Sequence, residues 1–337
     1  MITIYDIAKK AGVSPSTVSK VINDYKAIPE ETKEKVHRIM DEMNYIPNTG
    51  AKSLSSHKSY NVGILAYFGM KISPFKHTLF TDILDSFQTE MNNQNYDLIF
   101  ISHNVAGQNG SFYKNCMSRD VAGVLLFGDI NNKEMKEVVL SSIPKVCFDY
   151  VGGEMTSVQS DNYAKMKELT KCLIDLGHRN IFFVHGEPTG VTSERISGFK
   201  SALKEAGIPL NDAMLQESMY LDKQHIRSLT TDILRQPSNV PTAIMYPDDY
   251  SAIQGIAAIR EEGLRCPNDI SVTGFDGIFS GQVTSPRLTT VKQNTEEIGR
   301  ALAKSLIECI ERKRTEPHSI EIKGTILVGE STGPARK

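Results

Sequence analysis

Thr3-Ile-Tyr-Asp6-Ile-Ala-Lys-Lys-Ala-Gly12-Val-Ser14-Pro-Ser-Thr17-Val-Ser-Lys20-Val-Ile-Asn23 is the stretch that decides how this chain is read. Thr3 and Asp6 stand at the spacing of a capping pair, which satisfies backbone donors at a helix start. Ile4, Ile7, Ala8 and Ala11 form one apolar stripe at helical spacing. Gly12 supplies the positive φ that a tight turn needs. Ser14 then caps a second helix, and Pro15 fits its first position, where a missing N–H costs nothing. Val18, Val21 and Ile22 face inward, leaving Pro15, Ser16, Thr17, Ser19 and Lys20 outward. Two short helices about a glycine turn, the second with a polar outer face, are the pattern of a helix-turn-helix that reads DNA. The plain alternative is a solvated amphipathic helix pair.

On that outer face Ser16 suits a base edge, and Lys20 reaches guanine O6 and N7. Thr17 and Ser19 suit phosphate oxygens, which set register. Thr3, Ser14 and Asn23 complete the candidate DNA-contacting set in this segment. A third helix is expected over Pro29 to Asn44, burying Val36, Ile39, Met40 and Met43.

The chain has 337 residues, 40% of them apolar, enough for a small head and one large or two medium domains. Its net charge is −2. Residues 1–60 hold nine Lys+Arg and seven Asp+Glu, giving +2, so the remainder carries −4. That mild asymmetry agrees with a head that meets phosphates and a body that does not. Five scattered cysteines (Cys116, Cys147, Cys172, Cys266, Cys309) form no C-x-x-C pair, and the odd count argues against a disulfide framework. They read as reduced thiols of a cytoplasmic protein. No basic-then-apolar export signal and no 18-residue apolar run occurs, so no membrane partner is expected.

From Val62 onward apolar runs alternate with helical patterns. Strands are expected at Val62–Tyr67, Tyr96–Ser102, Gly123–Phe127, Lys145–Phe148, Asn180–Val184, Ala243–Tyr246 and Ile270–Phe275. Helices are expected at, among others, Leu79–Asn95, Tyr163–Leu176, Ser193–Ala206, Asp249–Glu261 and Thr295–Arg312. The fold class is therefore α/β, with parallel sheets covered on both faces. Such sheets bind ligands beyond the carboxyl ends of their strands. There stand Phe68, Asp149, Tyr150, Asp161, Asp248, Asp249 and Asp276. Carboxylates accept hydrogen bonds from hydroxyls and rings cover an apolar sugar face. Each acid alone has a plainer role as a cap or loop carboxylate, and Asp249 is placed to cap its helix.

No G-x-x-x-x-G-K-[ST], H-E-x-x-H or G-x-S-x-G motif is present. His103, His178, His185 and His225 lie apart, without metal-ligand spacing. No catalytic residue, metal site or cofactor is therefore expected. A carboxylate pair in a sugar cleft keeps a glycoside hydrolase as a remote alternative.

The head closely resembles the lactose/galactose repressor family. The matching pieces are Ala11-Gly12-Val13-Ser14, Thr17-Val18-Ser19, Glu30-Glu31-Thr32 and Asn44-Tyr45-x-Pro47-Asn48. The resemblance implies a head over 1–47, a hinge helix and linker over 48–60, and an effector-binding core over 61–337. The core would be two lobes of periplasmic-binding-protein type, one about 61–160 and 292–322, the other about 161–291 and 323–332. It further implies that the hinge forms on DNA and that Leu54 wedges into the minor groove, a known way to bend a duplex. Lys52 stands where an arginine is usual. Gly50 departs from the pattern, at ~1 kcal/mol relative to alanine in a helix interior, so the hinge is expected to be disordered without operator. Lys20, where arginine is more usual, alters the expected half-site.

In the core, Arg195-Ile-Ser-Gly198-Phe199 resembles the family's Arg-x-x-Gly-Phe, whose arginine meets the effector. Asp276 in Gly274-Phe275-Asp276, and Asp149 after Val146-Cys147-Phe148, fall on effector positions. Asp248-Asp249 stands where Asn-Asp is common, so Asp248 would alter specificity. Leu79, Phe80 and Tyr220 are further carry-overs, with packing as their plain alternative. The candidate effector set is Phe80, Asp149, Arg195, Tyr220, Asp248 and Asp276. Leu327-Val328-Gly329-Glu330-Ser331-Thr332 resembles the family's usual ending, and no heptad tail follows. The resemblance thus implies a homodimeric repressor on a pseudo-palindromic operator, answering to a small carbohydrate. A purine effector or a protein co-regulator is the alternative within the family.

Overall fold

A computed structural model describes residues 2–46, 59–67, 74–103, 110–220, 222–236, 240–314 and 316–336. Gly50, Lys52, Leu54 and Phe68 lie outside the described residues. Two compact units result, Met1–Tyr60 and Asn61–Lys337.

The first unit holds α1 (Ile4–Ala11), α2 (Pro15–Ile22) and α3 (Glu30–Glu42). Asp6 Oδ2 accepts from the Thr3 backbone N–H at 2.8 Å and from its hydroxyl at 2.7 Å. Gly12 turns the chain with φ 67°. Ser14 caps α2, its Oγ accepting from Thr17 N at 3.1 Å. Helix α3 is shorter than its apolar pattern, because the chain turns left-handed at Asn44 (φ 48°). Ile7, Ala8, Ala11, Val18, Val21, Val36, Ile39 and Met40 form this unit's own core, with Met43 packed at its edge.

The second unit contains two sheets. The first is built from β1 (Asn61–Tyr67), β2 (Asp97–Phe100), β3 (Val121–Gly128), β4 (Lys145–Phe148), β5 (Ser157–Ser160) and β11 (Ser319–Ile322), in the order β11-β5-β4-β3-β1-β2. Every pairing in it is parallel. The second contains β6 (Ile181–His185), β7 (Leu215–Glu217), β8 (Ala243–Met245), β9 (Ser271–Asp276), β10 (Thr289–Lys292) and β12 (Thr325–Leu327), ordered β12-β10-β9-β8-β6-β7. Only β12 runs antiparallel to its neighbour there. The central strands are apolar runs buried on both faces, as crossover helices require.

Around the first sheet lie α4 (Thr78–Asn93), α5 (Phe112–Ser118), α6 (Lys136–Leu140) and, returning late in the chain, α12 (Thr295–Ile310). Helix α12 packs on α4 and on β3, β4 and β5. Around the second lie α7 (Asn162–Asp175), α8 (Gly190–Glu205), α9 (Lys223–Leu234), α10 (Asp249–Glu261) and the short α11 (Phe279–Val283). Each sheet has its own buried apolar cluster. No helix among the described residues is long and apolar enough to cross a membrane.

Helix pair α7/α8 matters for the site because α8 carries Arg195. A Cβ on Gly198 would lie 2.4 Å from Tyr163 O and 3.0 Å from Lys167 N of α7, so the helices meet backbone to backbone. Gly198→Ala must spread them, and overpacking of this kind costs about 1–3 kcal/mol. Thermal unfolding of the variant reads that loss directly.

Candidate functional site

Two surfaces gather the candidate residues. In the head, Ser14, Ser16 and Lys20 are exposed, while Pro15, Thr17, Ser19 and Asn23 are half-buried. Ser14 Oγ lies 2.8 Å from Ser16 Oγ and 2.9 Å from Thr17 Oγ1, which preorganises the hydroxyls at the start of α2. Asn23 turns its amide back on the helix, donating to Ser19 O at 2.9 Å. Thr3 is held by Asp6 as described. Tyr5, 69% exposed, and Tyr25, 52% exposed, are large aromatics on this unit that the stripe-based reading passed over. Their signal in the sequence is an aromatic at a position outside the buried stripe.

In the second unit the candidate effector residues sit at or near carboxyl ends of parallel strands, as the fold class demands. Asp149 follows β4 with φ 54°, and Asp276 ends β9 with φ 111°. The left-handed backbone at both points lets the chain leave the sheet while the carboxylates stay near the strand ends. Arg195 is 4% exposed. Its Nε donates to Asn162 Oδ1 at 2.8 Å and Nη1 to Pro247 O at 2.9 Å, and its guanidinium carbon lies 3.6 Å from the Phe275 ring centroid. Packing on a ring face adds a cation–π attraction.

The charges around Arg195 are unbalanced. Burial pushes the Asp149 carboxyl upward, while the nearby Arg195 pulls it down. Burial pushes Asp276 up to about 7, against the pull of Arg195 and a 2.6 Å hydrogen bond from Gln293 Nε2. Burial, then the Asp276 charge, raises Asp248. The Tyr220 phenol is raised by burial and also feels Arg195, Asp248 and Asp276. Its ring lies against Gly186, where a Cβ would stand 2.1 Å from it. Phe80 meets Phe127 and Phe148 edge-on at centroid distances of 5.7 and 6.2 Å, so an aromatic patch from the first-sheet side adjoins these groups. The cluster therefore offers carboxylate acceptors, one fork of guanidinium donors and apolar rings.

Three placements differ from the sequence expectation. Asp248, not Asp249, caps α10: Ser251 N donates to its Oδ1 at 2.7 Å and Ser251 Oγ to its Oδ2 at 2.9 Å. Asp249 is fully buried one residue on, accepting from Thr290 Oγ1 at 2.5 Å and Ile278 N at 2.8 Å, so it pins β10 and the β9–α11 loop. Two adjacent aspartates suit one cap equally, and only tertiary packing decides between them. Asp161 is also withdrawn, its Oδ1 accepting from Gly324 N at 2.9 Å where the chain crosses between the sheets. Leu79 takes its plain alternative, packing, as a buried residue of α4.

Three polar residues of this cluster were not picked out from sequence. Asn162 orients Arg195. Gln293 links Asp276 to the Ser160 hydroxyl, and Ser160 N donates to Asp149 Oδ1 at 3.2 Å, so one chain of bonds joins the two strand-end carboxylates. His77 is the third, 3.4 Å from Asp276 Oδ2 by its Nε2. Burial lowers its pKa, with Asp248 opposing.

Comparison with known proteins finds matches to both units of the chain. Residues 3–48 match the model described as bacterial regulatory proteins, lacI family, and residues 170–332 match a periplasmic binding protein-like domain. The HTH-type transcriptional repressor PurR of Vibrio vulnificus is 31% identical over 340 residues, covering 98% of each chain. The ribose operon repressor of Haemophilus influenzae is 31% identical over 341 residues, again with 98% of each covered. A lac repressor dimer bound to operator and the anti-inducer ONPF shares the fold with a TM-score of 0.82 at 24% identity, over 98% of this chain and 99% of that one. The complex of the regulator CelR with cellobiose gives 0.72 at 23%, over 98% and 100%. A relative alike along almost its whole length, together with a head matched by the family's own model, places the chain in the lacI family of bacterial regulatory proteins.

Proposed function

We propose that this protein is a homodimeric repressor that acts in the cytoplasm. Its head binds a pseudo-palindromic operator, and a small carbohydrate in the core changes the affinity for DNA. On this reading Ser16, Thr17, Ser19 and Lys20 meet the operator, aided by Thr3, Ser14, Pro15 and Asn23, with Lys52 and Leu54 contributed by the hinge. Phe80, Asp149, Arg195, Tyr220, Asp248 and Asp276 meet the effector from lobes built on the two sheets. The observation that carries it is the cluster of carboxylates, Asp248 and Asp276 buried and Asp149 half-buried, near the buried Arg195 guanidinium. Such a set accepts hydrogen bonds from many hydroxyls and disfavours an anion. DNA and effector prefer different lobe arrangements, so each weakens the other, by ~1–3 kcal/mol in typical systems. No chemistry is required of the cleft; steady turnover of nitrophenyl glycosides would overturn that.

A purine effector is the second reading. It is favoured by the relatives named PurR, and by Phe80 and Tyr220, whose rings could flank a flat base beside Arg195 and Asp276. Thermal unfolding against ribose, cellobiose, hypoxanthine and guanine separates the two. A ligand at a hundred times its Kd adds ~2.7 kcal/mol, worth several degrees at roughly 2–4 °C per kcal/mol. A sugar hit supports the first reading and a purine hit the second. If nothing shifts while the protein still selects genomic fragments by mobility shift, the small-molecule reading of this cleft gives way to a protein partner.

A further inference from the structure

Besides the Ser160–Gln293 bond, a histidine contact crosses from the first-sheet side of the core to the second at the candidate effector carboxylates. His77 precedes α4, is 5% exposed, and brings Nε2 within 3.4 Å of Asp276 Oδ2. The other carboxylate oxygen is taken by Gln293 Nε2 at 2.6 Å. The imidazole meets Phe80 edge-on at 5.3 Å and Tyr250 at 5.2 Å, one ring from each side, which fixes its plane. Next to it, Thr78 Oγ1 stands 3.4 Å from the Tyr250 hydroxyl, another crossing contact. His77 Nδ1 is buried and has no hydrogen-bond partner among the described residues. The charged groups that act on the imidazole are Asp276, Asp248 and Arg195. Those that act on Asp276 include His77, Arg195 and Asp149, with the Gln293 amide as its polar neighbour.

A neutral imidazole has one donor and one acceptor nitrogen, and the hydrogen bond made by one fixes the other. A carboxylate beside Nε2 selects the tautomer with its proton there. We propose that His77 is a positioning residue of the effector site: its Nε2–H holds Asp276 from across the cleft, and this sets Nδ1 as an acceptor. A ligand that reaches Nδ1 must then bring a donor, which a sugar hydroxyl or a purine N–H supplies and a phosphate oxygen does not. The site role rests on the effector reading above. The contact itself does not, and it is measurable without any effector.

The test is nitrogen-15 NMR of the His77 ring in the full-length protein at pH 8, together with carbon-13 titration of the Asp276 carboxyl. In the wild type, Nε2 is expected to be the protonated nitrogen to a greater extent than in a free imidazole, and Asp276→Ala, which removes the acceptor, should reduce that preference to the free-imidazole level. His77→Gln carries an amide nitrogen at the reach of Nε2 and should keep the Asp276 midpoint where it is. His77→Asn, whose amide reaches only as far as Nδ1, should move it upward. A merely structural histidine would not distinguish the two amides. A ring protonated on Nδ1, or an Asp276 midpoint unmoved by either replacement, overturns the contact. If His77→Asn does not fold, the ring tautomer in wild type and Asp276→Ala decides alone. The expected tautomer combined with no small-molecule stabilisation would remove the effector role while leaving the contact standing.

Discussion

Arg195→Ala is expected to destabilise the core by about 3–5 kcal/mol, the range for stranding buried charge by removing one partner. For a protein of this size that lowers the unfolding midpoint by on the order of 10 °C. The guanidinium is the cation acting on both Asp149 and Asp276, and its loss also leaves Asn162 Oδ1 and Pro247 O without their donors. The loss should depend on pH in a diagnostic way. Carboxylates robbed of their counter-charge can take up protons instead, so the penalty shrinks at pH 5 and is full at pH 8. Arg195→Lys restores charge without the planar fork or its packing on Phe275, and should recover only part of the loss. Thermal unfolding of the three proteins at both pH values checks this. Equal penalties at pH 5 and pH 8 would show that Arg195 acts by packing alone.

Asp276→Asn is the second variant with a large expected effect, read as a change of slope. Burial raises this carboxyl from 3.8 to about 7 in the folded protein. Between those values the folded state holds a proton that the unfolded chain has released. Stability from this group is therefore fully present below about pH 4 and is lost as pH rises to about 7, a total on the order of 4 kcal/mol. His77 works with the opposite sign. Its folded pKa is depressed by burial, so the unfolded chain binds the proton first and stability rises as pH climbs toward 6.5. Urea unfolding of the wild type and Asp276→Asn from pH 4.5 to 8 isolates the aspartate's share as the difference between the two curves. Coincident slopes would mean that Asp276 titrates normally in the fold.

How far the sequence could be read follows from where each residue finds its partners. The head was legible because its signals are local: Thr3 with Asp6, Gly12 at φ 67°, Ser14 with Thr17. The apolar strand Lys145–Phe148 and the helix Asp249–Glu261 were legible to the residue, since a buried run and a glycine stop need no distant context. Strand β5, Ser-Val-Gln-Ser, has no such run and forms because β4 and β11 flank it. Strands β7, β10, β11 and β12 were likewise not picked out: each is only three or four residues long, and β11 is held by β5 from far back in the chain. Arg195, Asp149 and Asp276 were named from strand ends and from the family likeness, yet His77 was not. Its partner lies 199 residues on, and a histidine before a helix carries no pattern of its own.

The order in which the chain is made has a consequence for the two sheets. Both are closed by the same late segment, β11 completing the first and β12 the second, and α12 covers β3, β4 and β5 only after β10 has been laid down. The head has its own core and can fold as soon as it leaves the ribosome. The core cannot. At ~5–20 residues per second, roughly ten to fifty seconds separate the emergence of β1 from that of β12. Until α12 emerges, late in that interval, the first sheet lacks the helix that packs on β3, β4 and β5. Nascent chains of this protein should therefore be clients of ribosome-associated chaperones until synthesis is nearly finished, and a premature stop even a dozen residues before β11 would leave a folded head on an unfinished core.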